Sequence, residues 1–557
     1  MLHDNSGTVK RLALSVILTG AFGASLPLVA DQVPFQTVAE ASQFQSTSRY
    51  ADVLDFIAKL KKQSPYIRVE TLCRSAEGRD VPLIVIGKPL PDRPEGLRGD
   101  GRLVVYIQAN IHAGEVEGKE ASLMLARAIL LAPTPLYLDK LVILIAPIFN
   151  ADGNERISVD NRRDQAGPAN GVGVRPNGQN LDLNRDSMKL DSPELRGLVA
   201  NVLNRWDPAL VVDCHTTNGS YHQEPVTYSW PLNPNGDPDI LRYQRDRMLP
   251  AVQKALGEKY GTPAVPYGDP ADWRDLEKGW ATFSHHPRYL TNYVGLRNRL
   301  SILDENYSYA DFKTRILGCY NLLLAILDYC QVRGDEIRGL IKAADERTVR
   351  IGNAPSPEDA FALEYEVKPL PDKVTIRGYE MEVIPREGTW PEIKKTDKER
   401  IYVLPYFADF VPKKSIRRPY AYFVSTADPD VVALLRRHGI AVERLAAPAR
   451  LEVEAFQIAE LKAPARPYQG HWTSEIKGEY LTEEREFPAG TVVVRTGQPL
   501  GSLACYLLEP ASDDGLFYWN GFDRYLVPQW GRGFDKCPVF RLLTPVTLGT
   551  ERIAAAD

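Results

Sequence analysis

At 557 residues the chain exceeds what one hydrophobic core supports, since single cores stop growing at roughly 250–300 residues, so roughly two to four domains are expected. A hydrophobic fraction of 44% and a charged fraction of 25% are ordinary for globular protein and exclude a chain unable to bury a core. The formal net charge of -5 is small for this length and excludes the basic footprint of a nucleic-acid binder.

At the N-terminus, Lys10 and Arg11 precede an apolar run from Leu12 to Ala30, the pattern of a secretory signal. Such a run approaches the roughly 20 residues that span a bilayer. Gly20, Gly23 and Pro27 make it a poor stable helix, so residues 1–30 are read as a signal peptide cut near Ala30. The mature chain is then exported, periplasmic or secreted, and no later segment is long and apolar enough to span a membrane. Six cysteines in so long a chain make no disulfide framework. Cys319 and Cys330 share one predicted helix, whose rise separates them by about 16 Å, beyond bridging distance. Cys505 and Cys537 lie in the same C-terminal region and are left open as a pair.

An amphipathic helix is predicted from Gln43 to Lys61, followed by alternating strands at Arg68–Cys73 and Val81–Ile86 with Gly78 at the turn. Leu103–Ala109 reads as a buried strand, Gly118–Leu131 as a helix, and Leu141–Phe149 as a second apolar strand. A helix then opens with Ser192 as N-cap, Pro193 in its first turn and Glu194 behind it. Ala209–Cys214 and Arg299–Asp304 supply two further strands. A long helix runs from about Ala310 to Arg333, with Gly334 as its expected stop. Strands that are apolar on both faces and separated by helices predict a mainly parallel sheet covered on both sides. Such sheets bind ligands just beyond the carboxyl ends of their strands.

Beyond about Arg350 the texture changes. Pro355–Pro419 reads as a linker passing into β structure, and Tyr420–Leu445 as one strand–helix–strand unit capped by Asp428 or Thr426. Short strands recur from Glu475 to Phe540. The expected division is an α/β domain over residues 31–345 and an accessory α/β and β-rich region over residues 346–557.

Several reactive side chains fall where the apolar strands end. His112-Ala113-Gly114-Glu115 follows the strand that closes at Asn110, and an imidazole and a carboxylate at that spacing can reach one cation. His-x-x-Glu alone is common in solvated loops. His215, at the end of Val211-Val212-Asp213-Cys214-His215, completes the two-histidine, one-carboxylate set of hydrolytic zinc sites. Asp213 is a candidate to orient a ligand, and equally a structural acid. Glu305 closes another strand and suits a general base, with Asp304 pointing to the opposite face. In Leu183-Asn184-Arg185, a guanidinium beside an amide suits a substrate carboxylate. Arg175, on the turn Arg175-Pro176-Asn177-Gly178, suits the oxyanion of a tetrahedral intermediate.

Taken in order, His112-x-x-Glu115, Asn150-Ala151-Asp152-Gly153, Leu183-Asn184-Arg185, His215 and Glu305 resemble the zinc carboxypeptidase family that includes carboxypeptidase A. The motifs span roughly Asn110 to Tyr307. The resemblance implies a mixed eight-stranded α/β sheet, one catalytic zinc per chain, and removal of a C-terminal residue by attack of a metal-bound water. His112, Glu115 and His215 match the metal ligands and Glu305 the catalytic glutamate. Asn184 and Arg185 match the pair that holds the terminal carboxylate of a peptide substrate. Arg175 is taken as the oxyanion arginine, with Arg162 and Arg163 competing, and Tyr293 as the substrate-capping tyrosine, with Tyr289 as the alternative. Two departures stand out. Asp186 replaces a common Asn and would weaken carboxylate binding or favour a basic substrate group. Tyr228–Arg288 matches nothing in the family and is expected to form the specificity wall. A zinc-dependent deacylase or amidase acting on N-acyl amino acids or cell-wall peptides is the second enzyme reading. A non-catalytic peptide-binding protein is the third, disfavoured because a pure binder has no need of Glu305.

Overall fold

The computed structural model describes residues 34–553 apart from 98, 135, 218, 387–391 and 527–535. The expected signal peptide lies outside the described residues. Among those described, no helix is long and apolar enough to cross a membrane.

The N-terminal half is built on one eight-stranded sheet. Its strands in chain order are β1 (Ile67–Arg74), β2 (Asp80–Ile86), β3 (Leu103–Ala109), β4 (Leu141–Ala146) and β5 (Leu210–Thr216), then β6 (Val226–Ser229) and β7 (Ala264–Pro266). The short pair β8 (Asp269–Pro270) and β9 (Trp280–Ala281) belongs to another sheet, and β10 (Leu300–Asn306) completes the first. The order across the sheet is β1-β2-β4-β3-β5-β10-β6-β7. β4, β3, β5 and β10 run parallel, while the β1–β2–β4 edge and the β10–β6 pair are antiparallel. The sheet is therefore mixed around a parallel centre, as its apolar runs predict. Every residue of β3, β4 and β5 is buried, which is why those segments lack the alternation of a half-exposed strand.

Helices α1 (Tyr50–Gln63), α2 (Glu117–Leu131), α3 (Leu290–Leu296) and α4 (Phe312–Asn353) flank these strands. Asp311 caps α4 by accepting from the Thr314 amide at 3.0 Å. The sequence places the end of α4 at Gly334, but the helix runs on for its full 42 residues. A glycine inside a helix costs only about 1 kcal/mol. The extension is anchored by Arg299 to Asp345 at 3.1 Å and Arg347 to Asp237 at 3.1 Å. Near its end, Gly352 lies against the Thr496–Gly497 backbone so closely that a Cβ would collide with it.

Residues from Phe35 onward form one compact unit. A four-stranded sheet of order β11-β14-β9-β8 joins β11 (Ala360–Pro369) and β14 (Tyr406–Arg417) to the β8–β9 segment. The strands between them, β12 (Val374–Ile384) and β13 (Glu392–Leu404), pair as a separate antiparallel hairpin. A seven-stranded sheet closes the C-terminal region. In it, Ala421–Val424, the helix Pro429–Arg437 and Glu443–Leu445 form the expected strand–helix–strand unit, with Asp428 as the N-cap. All six cysteines are buried free thiols, so Cys505 and Cys537 do not pair.

Gly118 lets α2 approach the sheet beneath the site. A Cβ there would lie 2.5 Å from Cys214 Cβ and 3.2 Å from Ala109 Cβ. Gly118→Val is expected to destabilise the fold by about 1–3 kcal/mol through overpacking. Urea denaturation checks this: the midpoint should fall at unchanged slope.

Candidate active site

The parallel register sets the site. In β5 and β10, His215 stands beside Glu305 and Cys214 beside Asp304. Side chains alternate along a strand, so His215 and Glu305 share one face while their neighbours turn to the other. Asp304 accordingly points away from the site, where it accepts from Asn306 Nδ2 at 3.0 Å and burial pushes its carboxyl up to about 7.

The loop after β3 brings in the next two groups. Asn110 takes a positive φ of 66° and donates from Nδ2 to the Glu115 carbonyl at 3.1 Å, which tightens the turn. Gly114 is required by close approach: a Cβ there would meet Arg162 Cδ at 2.5 Å and the Gly173 carbonyl at 3.0 Å. His112, Glu115 and His215 are almost wholly buried, and one donor atom of each lies within 4.8 Å of the others. Glu115 Oε1 is 3.1 Å from His112 Nδ1, and its Oε2 is 2.9 Å from His215 Nδ1. Each ring is fixed at its far nitrogen by another carboxylate, His112 Nε2 by Asp182 at 3.0 Å and His215 Nε2 by Asp213 at 2.8 Å. Burial opposes charge on these groups, but the ion pairs prevail. Glu115 is held well below the usual carboxylate range by His112 and Arg162, and His215 is held protonated by Asp213 and Glu115.

Glu305 differs from Glu115. Its Oε2 is buried without a hydrogen-bond partner, and burial pushes its carboxyl up to about 8, with the negative charges of Glu115 and Asp304 adding to the rise. It lines a cavity of about 200 Å³ together with His112, Glu115, His215, Arg175, Asn184 and Arg185. Seven of the eight expected site residues therefore meet in one cavity.

Tyr293 is the exception and must be corrected. It is completely buried, its hydroxyl 2.7 Å from His438 Nδ1 and accepting from Arg297 at 3.3 Å. Every residue of α3 is buried, so this tyrosine belongs to the packing between α3 and the C-terminal region. Tyr289 and Tyr267 line the cavity instead, and the Arg185 guanidinium sits 4.3 Å above the Tyr289 ring. Of the three candidate arginines, Arg175 reaches the cavity, while Arg162 donates to Glu115 at 2.8 Å and Arg163 pairs on the surface with Asp160. Arg175 Nε donates to Asp182 Oδ2 at 2.8 Å, and Asn184 Oδ1 accepts from the Leu290 amide at 2.9 Å. Tyr267 and Phe283 show that part of the unmatched Tyr228–Arg288 segment walls the cavity.

Asp182 was missed in the sequence, although Asp-x-Asn-Arg places it beside the carboxylate-binding pair. Burial raises its pKa, but His112, Arg175 and Arg185 together hold it far below the usual range. Its backbone amide donates to Gln469 Oε1 of the C-terminal region at 2.8 Å, a contact with no local sequence signal.

The profile of the zinc carboxypeptidase family matches residues 53–225. That match takes in His112, Glu115, Asn184, Arg185 and His215, and the chain is similar to metallocarboxypeptidases, hydrolases of peptide bonds. Carboxypeptidase 2 of Trichophyton equinum is 24% identical over 494 residues, covering 84% of this chain and 81% of that protein. Carboxypeptidase 2 of Trichophyton rubrum is 22% identical over 513 residues, covering 87% and 85%. Among solved structures, a metallo-carboxypeptidase from Burkholderia cenocepacia superposes with a TM-score of 0.38 at 16% identity, over 51% of this chain and 70% of that one. Carboxypeptidase A from Helicoverpa armigera gives 0.38 at 17% identity, over 52% and 75%.

The expected influence of Asp186 on substrate charge also fails. Its carboxylate is fully buried and accepts from Lys189 Nζ at 2.7 Å, the Asp191 and Ser192 amides at 2.9 and 2.8 Å, and Ser192 Oγ at 2.6 Å. Asp186→Asn is expected to cost about 1–3 kcal/mol, because it leaves buried donors unmatched. Thermal unfolding measures that loss. The KM ratio between peptides ending in Lys and in Leu should stay at its wild-type value.

Proposed function

We propose that this metallocarboxypeptidase holds one zinc ion between His112, Glu115 and His215 and removes the C-terminal residue of peptides, with Glu305 as general base. The observation that carries the reading is the convergence of three ligand atoms within 4.8 Å of one another, beside a buried carboxylate oxygen that has no partner. Two imidazoles and one carboxylate fit zinc, and the carboxylates of Asp182 and Asp213 on the outer ring nitrogens are what metal-bound histidines require. Bound there, zinc supplies Lewis-acid polarisation of water and of the substrate carbonyl.

The protein's own groups do the rest. Glu305 takes a proton from the attacking water on its free Oε2 and returns it to the leaving amine. A pKa raised by burial makes its carboxylate a strong acceptor once charged. Arg175 faces the same cavity and stabilises the oxyanion that develops on the carbonyl. Arg185 binds the terminal carboxylate of the substrate, its plane fixed by the Tyr289 ring below and by its Nη1 bond to the Asn184 carbonyl at 2.7 Å. Asn184 offers its amide beside it. A carboxylate clamp within one small cavity favours exopeptidase over internal cleavage. The basic and apolar pattern at residues 10–30 supports action outside the cytoplasm.

Chelation should stop release of C-terminal residues and added zinc should restore it. Glu305→Gln should keep the wild-type zinc content while kcat falls by about 10²–10⁴-fold. In metal-free protein, the carbonyl stretch of protonated Glu305 should persist below its raised pKa and vanish as pH rises through about 8. That band should be missing from Glu305→Gln at every pH. A Gln variant that turns over normally would unseat the base. Arg185→Ala should raise KM about tenfold or more for free-carboxylate peptides, in line with a lost charge-assisted hydrogen bond. C-terminally amidated peptides should be cleaved at the wild-type rate, and an equal effect on both would remove Arg185 from the substrate site.

A further inference from the structure

Next to the cavity, but outside it, the segment that delivers Tyr289 carries two adjacent histidines. His285 Nε2 lies 2.9 Å from Asp513 Oδ2, and His286 Nε2 lies 3.5 Å from the same oxygen. The two rings stack with centroids 4.5 Å apart at 22°, so both inner nitrogens point the same way. One carboxylate oxygen therefore faces two imidazole nitrogens. Asp513 has no second oxygen to offer, because Tyr506 donates its hydroxyl to Oδ1 at 2.5 Å.

A simple hydrogen-bond network accounts for the His285 contact and leaves the His286 contact unexplained. At 3.5 Å the His286 Nε2 contact is longer than an ordinary N–H···O hydrogen bond. Among the described residues, only these two imidazoles stand at ion-pair distance from Asp513. A cation between the three groups satisfies all of them. Two of the three groups have outer partners in place: Ser284 Oγ is 2.6 Å from His286 Nδ1, which leaves Nε2 to face inward, and Tyr506 holds the far carboxylate oxygen, while His285 Nδ1 is buried without one. His286 and Asp513 open onto a cavity of about 420 Å³, which gives room for water in the remaining coordination positions. Imidazole nitrogens select a zinc-like ion over calcium or magnesium.

We infer that His285, His286 and Asp513, whose donor atoms lie within 4.8 Å of one another, form a second site for a divalent transition metal of zinc's class. The site is separate from the His112, Glu115 and His215 set. It clips the turn at Asp513 in the C-terminal region to the segment entering α3. That segment supplies Tyr289 and the Leu290 amide that holds Asn184. Occupancy of this site therefore steadies the carboxylate-binding end of the first cavity.

The test is zinc stoichiometry on the full chain, stripped of metal, titrated with zinc alone and freed of excess by gel filtration. Wild type should retain about two equivalents and His286→Asn about one. His112→Gln should also retain about one, held by the second site. Since His286 is half-buried at the edge of a cavity, its variant should stay folded, and circular dichroism checks this. Wild type that saturates at one equivalent, kept in His286→Asn and lost in His112→Gln, overturns the second site. So does a His286→Asn protein that still binds two. A His112→Gln protein that keeps the wild-type content would instead count against the first site.

Discussion

Everything at the candidate site depends on one buried carboxylate. Glu115 stands between His112 and His215 and touches both rings on the side that faces the cavity. Removing a charge from water is costly unless it is matched, and here the matching groups come from two strands and a distant loop. The chain can bury Glu115 only if the loop after β3, the end of β5 and the Arg162 segment all arrive together. The same constraint that makes the group expensive makes its geometry specific. Asp182 and Asp213 extend the pattern outward, so that each imidazole is gripped between two carboxylates and its ring cannot turn.

This arrangement was largely legible because it rests on strand ends. Apolar runs bounded by polar turns mark buried parallel strands, and alternation along β5 and β10 sends His215 and Glu305 to one face. What failed to be legible was finer than a strand. Spacing from Glu305 cannot say which side of a helix faces a cavity when the whole helix is buried, and Tyr293 was misplaced for that reason. The role of Asp186 turned on partners three and six residues ahead, Lys189 and Ser192, which a reading centred on substrate charge passed over. Gly334 was taken as a stop because glycine usually ends helices, yet the anchors at Asp345 and Arg347 beyond it outweigh its small propensity cost.

The C-terminal region left the faintest trace in the sequence and turns out to touch the site at several points. Gln469 accepts from the Asp182 amide, and His471 stands 2.7 Å from Asp191 next to the Asp186 cluster. Tyr406 pairs with Trp280, which draws strands β8 and β9 of the N-terminal half into a sheet with β11 and β14. His438 fills its own niche by bonding both Tyr293 and the Met188 carbonyl. These contacts join residues hundreds of positions apart, so no local periodicity announces them. They make the C-terminal region part of the scaffold behind the cavity, whose lining comes wholly from residues 112–305.

Helix α4 carries a consequence for how such a chain can change over evolutionary time. It runs unbroken past β6, where Gly318 faces Val226, and past Leu103 of β3 to the point where Gly352 nests against Thr496 and Gly497. A rod shared by both halves offers no joint at which one half could be exchanged for an unrelated module, and the nesting glycine tolerates no side chain. A substitution that shifts the axis of the rod at one end has to be met by the segment packed against the other.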